Sequence, residues 1–221
     1  MRRSQVLAVG ETYHVFNRSV GNEEIFTSLR NLSRIYDITN YYRYPQILRF
    51  SQFQLLSHDN QIEYLKKMKS KSQIVELMAF SYMPNHYHFL LRQLKDHGIS
   101  FFMANLQNSF AKYYNLKYHR HGTLFQSPFK AKRVAGDEEM LHVSRYIHLN
   151  PVTSFLIKLE KLSAYPWTSF IVYMNDNADT FISKEKILGL TYSKDKHYRF
   201  VADQEDFQKK LSKIKHLIPD V

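Results

Sequence analysis

The stretch "SQIVELMAFSYMPNHYHFLLRQ" (residues 72–93) constrains the fold more than any other part of the chain. Two runs rich in apolar and aromatic residues are separated by Pro84-Asn85, a turn-forming pair. Such runs, joined by so short a turn, predict an antiparallel hairpin with strands over 72–83 and 86–93. Strand alternation then places His86 and His88 on one face, roughly 7 Å apart at ~3.4 Å per residue. Tyr87 and Phe89 fall on the other face, where they can anchor the strand in a core.

The remaining segments surround that hairpin. "ETYHVFNRSV" (11–20) reads as a strand, with Tyr13, Val15 and Asn17 on one face and His14 and Phe16 on the other. Residues 27–43 carry Leu29, Leu32, Ile35, Tyr36 and Ile38 at helical spacing, and Pro45 interrupts the pattern. Two short helices are expected within 46–56 and 60–71, with Ser57 to Asn60 as turn and cap. Residues 100–118 predict an amphipathic helix that buries Phe102, Leu106, Phe110, Tyr113 and Tyr114, ended by "HRHG". Residues 123–135 predict a strand interrupted by Pro128, hence an edge strand or a bulge. "DEEMLHVSRYIHLN" (137–150) has acids in its first turn and is predicted to stop before Pro151. "YPWTSFIVYM" (165–174) is partly apolar, and the tail from about 176 is polar and charged with a weak helical pattern.

With the extra helices set aside, the order is β-α-β-β-α-β. The expected class is α+β: a ferredoxin-like split βαβ with a central antiparallel sheet, extra helices in an insert and an added C-terminal helix. One domain over 1–175 is expected, with its insert at about 44–70 and an extension over 176–221.

Charge points to the partner. Lys and Arg total 31 against 20 Asp and Glu, a net charge of +11 and a pI near 9.6. Basic charge attracts phosphates, and the chain's 16 Tyr and 16 Phe offer rings that can stack on unpaired bases. There is no cysteine, which excludes disulfides and thiolate zinc sites and fits a cytoplasmic location. No apolar run reaches the ~18 residues of a spanning helix. "VLAV" near the start is too short for a secretory signal, so no membrane partner is expected.

By itself the His86-x-His88 pair reads either as two ligands converging on a divalent ion or as two satisfied histidines. Tyr146 and Asn150 lie one helical turn apart on a shared face. They read either as a hydroxyl and an amide oxygen beside an ion, or as a buried tyrosine and a C-terminal Asn cap.

Together "MPNHYHFLL" and "SRYIHLNPV" resemble the single-tyrosine HUH transposases of the insertion-sequence type, most closely the REP-associated tyrosine transposases. "YHVFNRS", "GTLFQSPFKAKRV" and "YPWTSF" fit in the same order, so the resemblance covers about residues 10 to 172. It implies a ferredoxin-like fold, metal ligands at His86, His88 and Asn150, and a nucleophile at Tyr146. It implies Mg²⁺ or Mn²⁺ as the ion, and single-stranded or hairpin DNA as the substrate, cut and rejoined through a 5′-phosphotyrosine. His142, one turn before Tyr146, reads as a bystander or as a base. Lys130, Lys132 and Arg133 suit backbone phosphates, or equally a charge-protected edge strand. The sequence departs from the family at Pro128, where an arginine is usual, and in the long insert bearing "YLKKMKSK". A domesticated hairpin-DNA binder without chemistry and a metal nuclease using water are the competing functions. The chain could act as a monomer or a homodimer.

Overall fold

The computed structural model describes residues 6–175 and 181–203. Its strands are β1 (Thr12–Arg18), β2 (Val75–Met83), β3 (His86–Gln93) and β4 (Lys130–Val134). They form one sheet in the order β2-β3-β1-β4, the split-βαβ order expected from the sequence. The pairing is antiparallel. Gly10 N–H donates to the Gln93 carbonyl near one end of β1, and Ser19 N–H donates to the Asn85 carbonyl near the other. On its second side β1 is continued by an antiparallel bridge between Ser19 and Phe125.

β4 is an edge strand, as the proline beside it requires. It is shorter than the predicted 123–135 segment. Pro128, after a cis Ser127–Pro128 peptide, has no N–H for a ladder, and regular pairing begins only at Lys130.

The helices are α1 (Leu29–Tyr41), α2 (Phe50–Phe53), α3 (His58–Lys69), α4 (Gly98–Lys117), α5 (Gly136–Thr153), α6 (Phe170–Met174), α7 (Glu185–Thr191) and α8 (Lys194–Ala202). Ser57 caps α3 by accepting from Asn60 N–H, as its position before the helix suggests. Among the described residues no helix is long and apolar enough to cross a membrane. The N-terminal arginines Arg2 and Arg3, and the part of the tail beyond Asp203, lie outside the described residues.

The chain divides into two compact units. The first comprises Met1–Glu76, Pro84–His86 and Leu91–Arg133. Its core joins Tyr13 and Val15 of β1 to Ile35 and Ile38 of α1 and Phe102, Leu106 and Phe110 of α4, all buried. Phe26 and Phe110 pack with ring centroids 4.9 Å apart. Tyr113 is half-exposed rather than buried; it instead donates to Asn31 Oδ1 at 3.1 Å.

The second unit comprises Leu77–Met83, Tyr87–Leu90 and Val134–Val221. Here Tyr82 N–H donates to the Trp167 carbonyl at 2.9 Å, and Ser81 bridges to Thr168, so the "YPWTSF" segment runs beside β2. Leu149 and Val152 of α5 pack with Leu162, Phe170 and Val201 in a buried cluster.

One expectation fails in α5. The helix does not stop before Pro151 but continues to Thr153, with Pro151 inside it. Proline removes the N–H that would bond the Ile147 carbonyl, and that bias usually ends a helix. Here Val152 is fully buried in the cluster just described, and its burial outweighs the local preference. Asn150 is consequently no C-cap. Its carbonyl accepts from Ser154 N–H at 3.0 Å as part of the last turn, and its side chain is buried.

Candidate active site

Burial on β3 matches the anchoring expected of Tyr87 and Phe89, and His88 between them is buried as well. Tyr87 and Phe89 are fully buried, His86 is half-exposed, and His88 is 6% exposed. His88 is covered by a ring from α5: the imidazole and the Tyr146 ring meet edge to face, centroids 5.4 Å apart and planes at 87°. The strand histidine and the helix tyrosine, far apart in the sequence, are therefore neighbours within one compact unit. Asn150 follows one turn after Tyr146 on the same helix.

His86 opens β3, and its orientation is set by the turn before it. Its Nδ1 lies 2.6 Å from Asn85 Oδ1. The Asn85 amide nitrogen donates to the Asn22 carbonyl at 3.4 Å, which directs the amide oxygen at the ring. An oxygen acceptor requires Nδ1 to carry the proton, which in the neutral ring leaves the lone pair on Nε2. Sequence reading treated Asn85 only as a turn former. The signal for its contact with the ring was its position beside the first histidine.

The Asn150 amide nitrogen is buried without a hydrogen-bond partner. A buried orphan is costly, and no protein acceptor fixes which way the amide points. By residue type, imidazole nitrogens and an amide oxygen are donors that Mn²⁺ or Mg²⁺ accepts. The residues present thus fit a divalent ion. Among the described residues there is no group of three or more His, Cys, Asp or Glu that could hold a metal.

His142 is engaged elsewhere. Its Nδ1 accepts from Arg145 Nη2 at 2.6 Å, and its ring lies 5.8 Å from Phe200. Arg145 also stacks on Phe200 at 4.1 Å and donates to the Phe200 carbonyl, which ties α5 to α8. That hydrogen bond takes Nδ1 of His142 out of contention as a base for Tyr146.

Two residues after Tyr146, His148 faces the interior. Its Nε2 is 2.9 Å from Ser169 Oγ, and its ring is 5.8 Å from His197 of α8. Burial holds both imidazoles in the neutral form: His148 well below its usual range, His197 down to about 4. These two are packing groups, and sequence reading did not single them out.

The three basic residues on β4 differ. Lys130 and Lys132 are exposed on alternate positions, with Lys130 Nζ 6.0 Å from the Phe16 ring centroid. Arg133 points to the other face and pairs with Glu11 at 2.8 Å, an ion pair that raises the arginine and lowers the carboxylate pKa.

Known proteins can be set against this geometry. Residues 48–150 match the family model described as "Transposase IS200 like", a span that holds His86, His88, Tyr146 and Asn150. A solved structure described as the REP-associated tyrosine transposase bound to a REP hairpin is similar in fold, with a TM-score of 0.53 at 14% identity. The match covers 83% of this chain and 90% of that one. A second, a putative transposase from Deinococcus radiodurans, matches at a TM-score of 0.37 and 16% identity, over 66% of this chain and 95% of that one. No curated protein matches the sequence. The chain is thus similar over residues 48–150 to the IS200-like transposases and shares the fold of the REP-associated tyrosine transposase, as the resemblance read from the sequence implies.

Proposed function

We propose that this protein is a metal-dependent single-stranded-DNA transesterase that cuts and rejoins DNA near hairpins, with Tyr146 as nucleophile. The edge-to-face contact of Tyr146 with His88 carries the reading, because it places a phenol against a ligand-type imidazole. A divalent ion, Mg²⁺ or Mn²⁺, held by His86, His88 and Asn150 would polarise the scissile phosphate and offset charge developing there.

Tyr146 Oη attacks phosphorus in line. An O–P bond to tyrosine forms, the bond from phosphorus to the 3′ oxygen breaks, and the phenol proton ends on the departing 3′ hydroxyl. The product is a 5′-phosphotyrosine and a free 3′ end, and reversal of the step joins strands. One phosphodiester replaces another, so no nucleotide triphosphate is consumed. A phenol has a pKa near ~10, so attack at neutral pH needs the proton taken up as the bond forms. Packing of α5 fixes where Tyr146 stands, and His88 beneath the ring limits its tilt.

Lys130, Lys132 and Arg133 are assigned to DNA phosphates, positioning the strand without reading its sequence. Arg133 would exchange Glu11 for phosphate to do so. The REP hairpin in the similar solved structure supports hairpin DNA as the partner. The domain is assigned to 1–175 with 176–221 as an extension, in a protein acting in the cytoplasm.

The test is incubation with single-stranded hairpin DNA and Mn²⁺, followed by denaturing electrophoresis. A protein–DNA adduct stable to denaturant is expected. Cleavage without an adduct would assign the reaction to water, and binding without cleavage would make the protein a binder only. Either result overturns the proposal.

A further inference from the structure

The outer face of β1 carries a feature that the cleavage chemistry does not use. Alternation sends Tyr13, Val15 and Asn17 into the core and leaves His14 and Phe16 half-exposed on the opposite face. Their ring centroids lie 4.9 Å apart at an interplanar angle of 34°. Lys130 of β4 reaches over the same face, its Nζ 6.0 Å from the Phe16 centroid. Arg18, two residues after Phe16 and so on the same face, is exposed, as are Lys130 and Lys132. All of these residues belong to the first compact unit.

Half-exposed rings add less to stability than buried ones, so their place on an outer strand face asks for another use. Two adjacent rings beside cations match the requirements of a single strand, whose unpaired bases stack on aromatic side chains while its phosphates seek positive charge. A duplex has no unpaired base face to offer. A lysine over the ring strengthens the site through cation–π attraction and stands ready for the phosphate next to a stacked base.

We propose that His14 and Phe16 form a stacking platform for unpaired bases of single-stranded DNA, with Lys130 and Arg18 holding the flanking phosphates. The inference rests on the single-strand reading above and adds the surface that grips the strand. The platform is sequence-tolerant, since every base has a π-face. It accounts for an edge strand whose Lys130 stands next to an aromatic ring.

The experiment is binding by fluorescence anisotropy in EDTA, so that metal and chemistry play no part. The probes are a hairpin with an unpaired thymine overhang and a blunt duplex. Phe16→Leu should weaken overhang binding about tenfold, and Phe16→Trp should restore it. Duplex binding should stay as in the wild type. Lys130→Gln should flatten the dependence of log affinity on log salt by about 0.7. In the wild-type complex, 2-aminopurine placed among the overhang thymines should lose fluorescence at one or two positions. A folded Phe16→Leu protein with undiminished overhang affinity, or no quenching at any position, overturns the platform but leaves the cleavage reading standing. Failure of the wild type to bind unpaired DNA at all overturns both.

Discussion

At the scale of single residues, the proposed metal site would depend on which nitrogen of His86 is protonated. Asn85 decides this by presenting its oxygen to Nδ1 while its own nitrogen is held by the Asn22 carbonyl. Groups that orient a metal-binding histidine commonly matter to metal affinity by ~10–100-fold. Asn85→Ala should therefore weaken Mn²⁺ binding by about that factor, while Asn85→Asp, which keeps an acceptor, should retain it. Calorimetric titration with Mn²⁺ reads both, and equal affinity in Asn85→Ala and wild type would remove Asn85 from the site. Asn150→Ala should lower activity and recover part of it at high Mn²⁺, because mass action refills a weakened site. Activity that stays low at every Mn²⁺ concentration would assign Asn150 another role. The two roles were unequally legible. Asn150 and Tyr146 stood out through their spacing and the resemblance, whereas Asn85 looked like half of a turn. A hydrogen bond between adjacent residues leaves no periodic trace in a sequence.

Among the elements, α5 carries the central argument. It holds Tyr146 and Asn150 on one face, and Leu149 and Val152 in the buried cluster with Phe170 and Val201. Pro151 interrupts its ladder without ending it. Pro151→Ala restores an N–H for the Ile147 carbonyl and should raise stability by ~1–2 kcal/mol, the loss of proline's stiffening of the unfolded chain offsetting part of the gain. Denaturant unfolding measures it, and a destabilised variant would show that the proline ring itself packs usefully. The same helix joins α8 through His148 and His197. Burial lowers the His197 pKa from 6.5 to about 4. Between those values the unfolded chain takes up a proton that the folded chain refuses. Stability should be complete above pH 6.5 and fall as pH drops toward 4, by roughly 3 kcal/mol for His197 at the acid end. His148 shifts in the same direction and adds to the fall. Urea midpoints at neutral pH and at pH near 4.5 test this; a flat profile would contradict it. The helix end was misread from the sequence because the rule for the residue before proline is local. The packing of Val152 that overrides it comes from residues as distant as Leu162 and Val201.

For the whole molecule, the four strands and their order along the chain were legible: β1 by its alternation, β2 by its apolar run, the hairpin by its turn, and β4 by its basic stretch after a proline. β4 was legible as an edge strand, though Pro128 cut it shorter than its apolar pattern suggested. The contact between His88 and Tyr146 was not legible from spacing, since nothing in either segment specifies the other; the resemblance supplied it and the packing of α5 shows it. The net charge of +11 was also plain, and it makes DNA affinity a steep function of salt. The central claim is that Tyr146 forms the covalent link. Its most direct test is a pair of proteins, wild type and Tyr146→Phe, incubated with Mn²⁺ and a hairpin DNA labelled alternately at its 5′ and 3′ ends. The change removes one oxygen and keeps the ring that covers His88, so folding and DNA affinity should survive. The account predicts that the wild type becomes attached to the 3′-labelled fragment, through its 5′ phosphate, and that the Phe variant forms no adduct at all. An adduct in the folded Phe variant, or one carrying the 5′ label, would contradict it.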